Sequence, residues 1–196
     1  MNMIMRKSVL GIAGLAVAGG LAAGPLNHTD TTPVEATPVT AVQAEKPGVD
    51  GSKLVPHGVQ GAQSRIGLSD EQVANVKAII AATKKAGMDE RAAVVSIATA
   101  LQESKLENLG HLGDRNDHDS QGLFQQRPSS GWGTVEQITD PQYSTTAFLK
   151  GLKQVDRWQD MPLTEAAQTV QVSAYPDHYA QWEQQAADLV AEHWNS

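Results

Sequence analysis

Glu103 ends a stretch that carries no other charge: every residue from Ala92 to Gln102 is neutral, and most are small or aliphatic. A carboxyl in that position meets two effects of the same sign. The carbonyl end of a helix disfavours negative charge by roughly 0.3 to 1 kcal/mol, which is less than one pKa unit. Desolvation raises a buried carboxyl by as much as about 3 to 5 units, so burial, if present, is the larger cause. A protonated carboxyl in a cleft is what general-acid cleavage of a glycosidic bond requires, and proton transfer of that kind gives about 10² to 10⁴ in rate. By itself a Glu on the last turn of a helix is most often a solvated surface residue.

A second carboxyl is the natural partner to look for. Glycosidases commonly place two of them roughly 5 to 5.5 Å apart for retention or 6.5 to 9.5 Å apart for inversion. Asp114, Asp117 and Asp119 are the candidates, all in the segment GHLGDRNDHDSQGLFQQRPSSGWG, which holds five glycines, three aspartates and two histidines. Acidic residues beside glycine also serve simply as turn formers. The same segment imitates the start of a calcium loop at Asp114 and Asn116, but His118 follows where a ligand is needed, with no Gly or closing Glu in place. His111 and His118 lack the spacing of a zinc site. No metal and no cofactor is expected. Trp132, between two glycines, is placed either to stack on a sugar ring or to pack; Trp158, Trp182 and Trp194 read as helix-packing residues.

The elements that must hold these residues are helical. Ser69 with Gln72 forms a capping box that opens a helix running to about Ala86, which Gly87 ends. Asp89 caps the next helix, to about Ser104. Asp140 and Pro141 start a third, through about Val155; Thr164 caps a fourth; Pro176 and Asp177 open a fifth that ends near Trp194. On a helical wheel Val94, Ile97, Ala98 and Leu101 form one face of the second helix, while Ala92, Ser96, Thr99 and Ala100 share the side of Glu103. A helix apolar or small all round is a buried one, so its end should lie inside the domain. No run alternates as a strand does, and the expected fold class is mainly α.

The remaining features bound the setting. The 196 residues suffice for one domain, taken as 66–196, and a monomer is expected. Residues 1–24 have the layout of a secretory signal, with a retained N-terminal membrane anchor as the alternative, and residues 25–65 read as a flexible Pro/Thr/Ala-rich linker. Without the first 24 residues the chain has 13 basic against 22 acidic side chains, a net charge of −9, which argues against nucleic acid as a partner. The chain has no cysteine, which excludes disulfides, a lipid-modified cysteine and a papain-like site; an exported, extracytoplasmic protein is expected to rest on its core alone.

Glu103-Ser104, Gly122-Leu123-Phe124-Gln125 and Ala174-Tyr175 follow the order and approximate spacing of three motifs in the lysozyme-like domains of soluble lytic transglycosylases and goose-type lysozymes. The stretch from Ile97 to Trp182 more closely resembles secreted actinobacterial lysozyme-like domains, over about residues 70 to 194. The resemblance implies a lysozyme-like helical fold acting on the β-1,4 glycan of peptidoglycan in the cell wall, with Glu103 as general acid. It further implies that Ser104 shapes the turn beside the substrate, that Gln125 lies in the cleft, and that Tyr175 hydrogen-bonds or positions the sugar next to Glu103. Pro176 stands where the family usually continues with Asn, and Phe124 where Met is commoner. If no second carboxyl reaches the cleft, one Glu serves first as acid and then as base, which is lytic transglycosylase chemistry. The competing expectation is a wall-binding module that keeps the cleft without turnover.

Overall fold

The computed structural model describes residues 49–196 apart from 114, 115 and 117. The signal segment, the greater part of the linker, and Asp114 and Asp117 therefore lie outside the described residues, which all fall in one compact unit. Among them the regular structure is helical: α1 Gly51–Leu54, α2 Asp70–Lys85, α3 Glu90–Ser104, α4 Val135–Ile138, α5 Pro141–Leu152, α6 Leu163–Gln171 and α7 Glu183–His193. The mainly α expectation holds.

Local chemistry sets the first two long helices as anticipated. The Ser69–Gln72 capping box closes reciprocally at the start of α2. At its end Gly87 adopts φ +65°, and Met88 N–H reaches back to the Thr83 carbonyl, a left-handed stop that favours glycine. Asp89 then accepts from Ala92 N–H to cap α3.

α3 is the central element. Every residue from Arg91 to Leu101 is buried, and the helix packs against α1, α2, α5, α6 and α7. Alanines at 92, 93, 98 and 100 let these neighbours approach closely, while Val94, Ile97 and Leu101 supply the bulk of the core. The hydroxyls of Ser96 and Thr99 are satisfied by the carbonyls of Ala92 and Val95, one turn back.

Four features differ from expectation. Residues 49–65 are not all linker: α1 lies here, Leu54 is buried in the core, and its carbonyl accepts from the buried Arg91 guanidinium, which also pairs with Glu183 at 2.7 Å. Thr164 does not cap α6; Pro162 holds that position, and the Thr164 hydroxyl donates to the Pro176 carbonyl instead. The last helix does not open at Pro176: residues 176–179 form turns, Ala180–Trp182 a 3-10 turn, and α7 starts only at Glu183. The third expected helix also ends at Leu152, three residues short of Val155.

Candidate active site

The end of α3 is pinned on every side. Lys105 and Leu106 both take left-handed backbone conformations, φ +58° and +64°, turning the chain sharply after Ser104. Their carbonyls, left without helical partners, accept from the side chains of Gln72 and Asn75 on α2. Lys105 Nζ folds back onto the carbonyls of Leu101 and Gln102 and lies 4.8 Å from the centroid of the Trp182 ring. Burial lowers the pKa of this lysine, and the nearby charge of Glu103 opposes that shift. Gln102 Oε1 accepts from both Trp182 Nε1 and Gln181 Nε2. Glu103 is thus flanked in sequence by residues that cannot drift.

The GLFQ segment forms a wall opposite. Gly122 has φ +76°, and a Cβ there would stand 2.1 Å from the Ile138 carbonyl oxygen, so only glycine fits. Three carbonyls along the segment have side-chain donors: Ser104 Oγ on Leu123, Gln171 Nε2 on Phe124, and Gln125 Nε2 on Gly122. Phe124 stacks on Phe148 at 5.1 Å beneath it. The loop is therefore tied to the end of α3, to the end of α6 and to the core.

Between these elements lies a cleft of about 770 Å³. Glu103, Gln125, Trp132 and Tyr175 all line it, with Gln171 and Val172 contributed by the end of α6. Four of the five residues singled out in the sequence thus meet in one place. Ser104 does not: its side chain is 6% exposed and its hydroxyl serves Ala100 and Leu123, so it is a tie within the wall and not a surface a substrate touches. The Gln125 amide, in the cleft, also fastens its own loop.

A second tyrosine, one the sequence did not single out, enters the site beside Tyr175. Tyr175 is 62% exposed on the cleft rim, with its ring stacked on His178 at 5.0 Å. The phenol that reaches the carboxyl belongs to Tyr179, which is fully buried and donates to Glu103 Oε1 at 2.6 Å. Burial, followed by the Glu103 charge and the bond to it, pushes the Tyr179 hydroxyl far above the ordinary phenol range, so it stays a donor. In the sequence the two tyrosines stand four residues apart in SAYPDHY. Only the helical turn after Pro176 turns the second one inward.

The Asp119 carboxyl is engaged within its own loop. It accepts from Arg127 Nε at 3.0 Å and from the Ser129 backbone N–H and hydroxyl, each at 2.8 Å. Those bonds, the Ser129 backbone one foremost, hold its carboxyl well below the usual range. It is a loop staple. No cluster of three or more His, Cys, Asp or Glu side chains able to hold a metal occurs among the described residues. Trp158 and Trp182 are buried in the core and Trp194 packs against it, as read from the sequence. Compared with protein-family models and with curated proteins, the chain matches none of either.

Proposed function

We propose that this protein cleaves the β-1,4-linked glycan strands of peptidoglycan, as a lytic transglycosylase or muramidase, outside the cytoplasm and at the cell wall. The observation that carries the proposal is the placement of Glu103: a carboxyl at the end of a buried helix, opening into a 770 Å³ cleft and oriented by the Tyr179 phenol. Beside it stand Gln125, Trp132 and the exposed ring of Tyr175, a mix of amide and aromatic surface suited to sugar hydroxyls and ring faces.

In this reading Glu103 gives its proton to the bridging oxygen as the bond from that oxygen to the anomeric carbon breaks. The carboxylate so formed then takes a proton from the nucleophile. If the nucleophile is the 6-hydroxyl of the same sugar, the product is a 1,6-anhydro end; if it is water, a reducing end. One residue suffices for both steps, and among the described candidates Asp119 is engaged by Arg127 and Ser129.

The test is digestion of purified peptidoglycan by the full chain and by Glu103→Gln, with products read by mass spectrometry. Release of muropeptides by the parent and none by the variant supports the proposal, and the end groups distinguish transglycosylase from hydrolase. No release by the parent overturns it. Binding of both proteins to the insoluble wall would then point to a non-catalytic wall-binding module.

A further inference from the structure

The segment entering α2 is fastened to the turn that carries Tyr179. Gln63 Nε2 donates to the Ala180 carbonyl at 3.0 Å, and its Oε1 accepts from the Gln184 N–H at 3.0 Å. Ser64 N–H donates to the Gln181 carbonyl, and Ser64 Oγ to Gln181 Oε1, both at 2.7 Å. Two residues on, Ile66 exchanges a reciprocal pair of bonds with the Gln185 amide. This is an extended strap held by one backbone bond, at Ser64, and by the amides of Gln63 and Gln185.

The bonds lead on to the site. With its oxygen held by Ser64, the Gln181 amide presents Nε2 to Gln102 Oε1 at 3.1 Å and to the His178 carbonyl at 3.1 Å. Gln102 is the residue before Glu103, and Tyr179, bonded to Glu103, is the residue before Ala180. The strap therefore reaches Tyr179 through Ala180 alone, and Glu103 through Gln181 and then Gln102. A shift in Ser64 frees the Gln181 amide to rotate, and Gln102 then loses one of the two donors that fix its place.

We infer that Gln63 and Ser64 are positioning residues for the Glu103–Tyr179 pair, acting through Ala180, Gln181 and Gln102. This rests on the reading of Glu103 as the proton donor. Displacement of a catalytic group by a fraction of an ångström reduces turnover more than binding, because the lost contact is one made in the transition state. Arg65 provides an internal control. It lies in the same strap and pairs with Asp188 on α7, but both side chains are largely exposed and neither leads to Gln102.

The experiment uses the full chain and the variants Gln63→Ala/Ser64→Ala, Ser64→Thr and Arg65→Ala. Steady-state cleavage of soluble glycan strands is measured well below each variant's unfolding midpoint. The double variant is expected to lose about tenfold to a hundredfold in kcat while KM changes less than about twofold; Ser64→Thr retains most of the turnover and Arg65→Ala all of it. An independent readout is the exchange-protected Tyr179 hydroxyl proton in NMR spectra, which should broaden or shift in the double variant and stay in place in Arg65→Ala. Unchanged kcat with an unchanged proton signal overturns the inference, as does an equal loss in Arg65→Ala, which would mark the strap as a support of stability alone. If the parent cleaves no glycan, the functional reading fails, and the proton signal still decides whether the strap sets the pair.

Discussion

The Tyr179 hydroxyl donates to Glu103 Oε1 at 2.6 Å, joining residues 76 positions apart in the chain. Tyr179 is fully buried and comes from the turn before α7, whereas Glu103 comes from the last turn of α3. A hydrogen bond to a charged acceptor contributes about 1.5 to 3 kcal/mol net. Tyr179→Phe keeps the ring and removes the donor, so stability should fall by about that amount in denaturant titrations. Turnover should fall by about tenfold or more because the carboxyl loses its orientation. A variant with parental kcat would mean that the bond is structural only.

The same bond predicts how stability responds to alkali. The Tyr179 pKa is raised in the folded state by burial and by Glu103, so folding favours the protonated phenol. Its contribution is complete below the ordinary phenol value of about 10 and is lost as pH rises above it. The melting temperature should therefore decline more steeply above about pH 10 in the parent than in Tyr179→Phe. Parallel curves for the two proteins would contradict the assignment.

Asp119 gives the opposite sign. Bonds from Ser129 and Arg127 lower its pKa in the folded state, so its contribution is present above the ordinary aspartate value of about 3.9 and is lost as pH falls below it. Hydrogen exchange at the Ser129 amide should accelerate in acid, relative to its intrinsic rate, and Asp119→Asn should show that faster exchange already at neutral pH. Equal protection in parent and variant would remove the staple role.

The sequence disclosed what is local. The Ser69 and Asp89 caps, the Gly87 stop and the all-round burial of α3 follow from residue chemistry within one or two turns, and each is found where it was expected. Glu103 was legible because a charge ending a neutral helix is visible in a single residue, and GLFQ only through its resemblance to a family motif. The contact of Tyr179 with Glu103 was not, because it depends on how residues 176–182 turn after a proline and on which ring the core accepts. The strap escaped for a related reason. It is held by Gln63's own amide, by the Gln181 carbonyl and by the Gln185 amide on α7, and Gln63, Ser64 and Ile66 carry no period that would set them apart from the linker before them. Thr164 failed as a cap because a distant carbonyl, that of Pro176, claims its hydroxyl.

The Arg91–Glu183 pair anchors α7 beneath the Tyr179 turn. Both side chains are nearly inaccessible, 4% and 2% exposed, and Arg91 also donates to the Leu54 carbonyl. Removing one partner leaves the other charge buried and uncompensated, which costs about 3 to 5 kcal/mol. Glu183→Gln should therefore destabilise the protein far more than Arg65→Ala, whose exposed pair contributes about 0 to 1 kcal/mol. Chemical denaturation of the two variants measures the difference directly.

Gly122 combines φ +76° with a backbone carbonyl, that of Ile138, where a methyl group would have to go. Its own N–H is engaged by the Leu109 carbonyl at 2.7 Å, so the segment cannot slide away without breaking that bond. Gly122→Ala must therefore both strain the backbone, at about 1 to 2 kcal/mol, and push α4 outward. The displacement is carried to Leu123, whose carbonyl is held by Ser104, and so to the residue beside Glu103. Loss of turnover should exceed what the fall in stability explains at an assay temperature where the variant is folded. Gly131→Ala is the comparison, since that glycine also has positive φ but open space around it. It should show the backbone strain alone, with kcat close to the parent's. Equal effects of the two substitutions on turnover would mean that the contact with Ile138 does not set the geometry of the cleft.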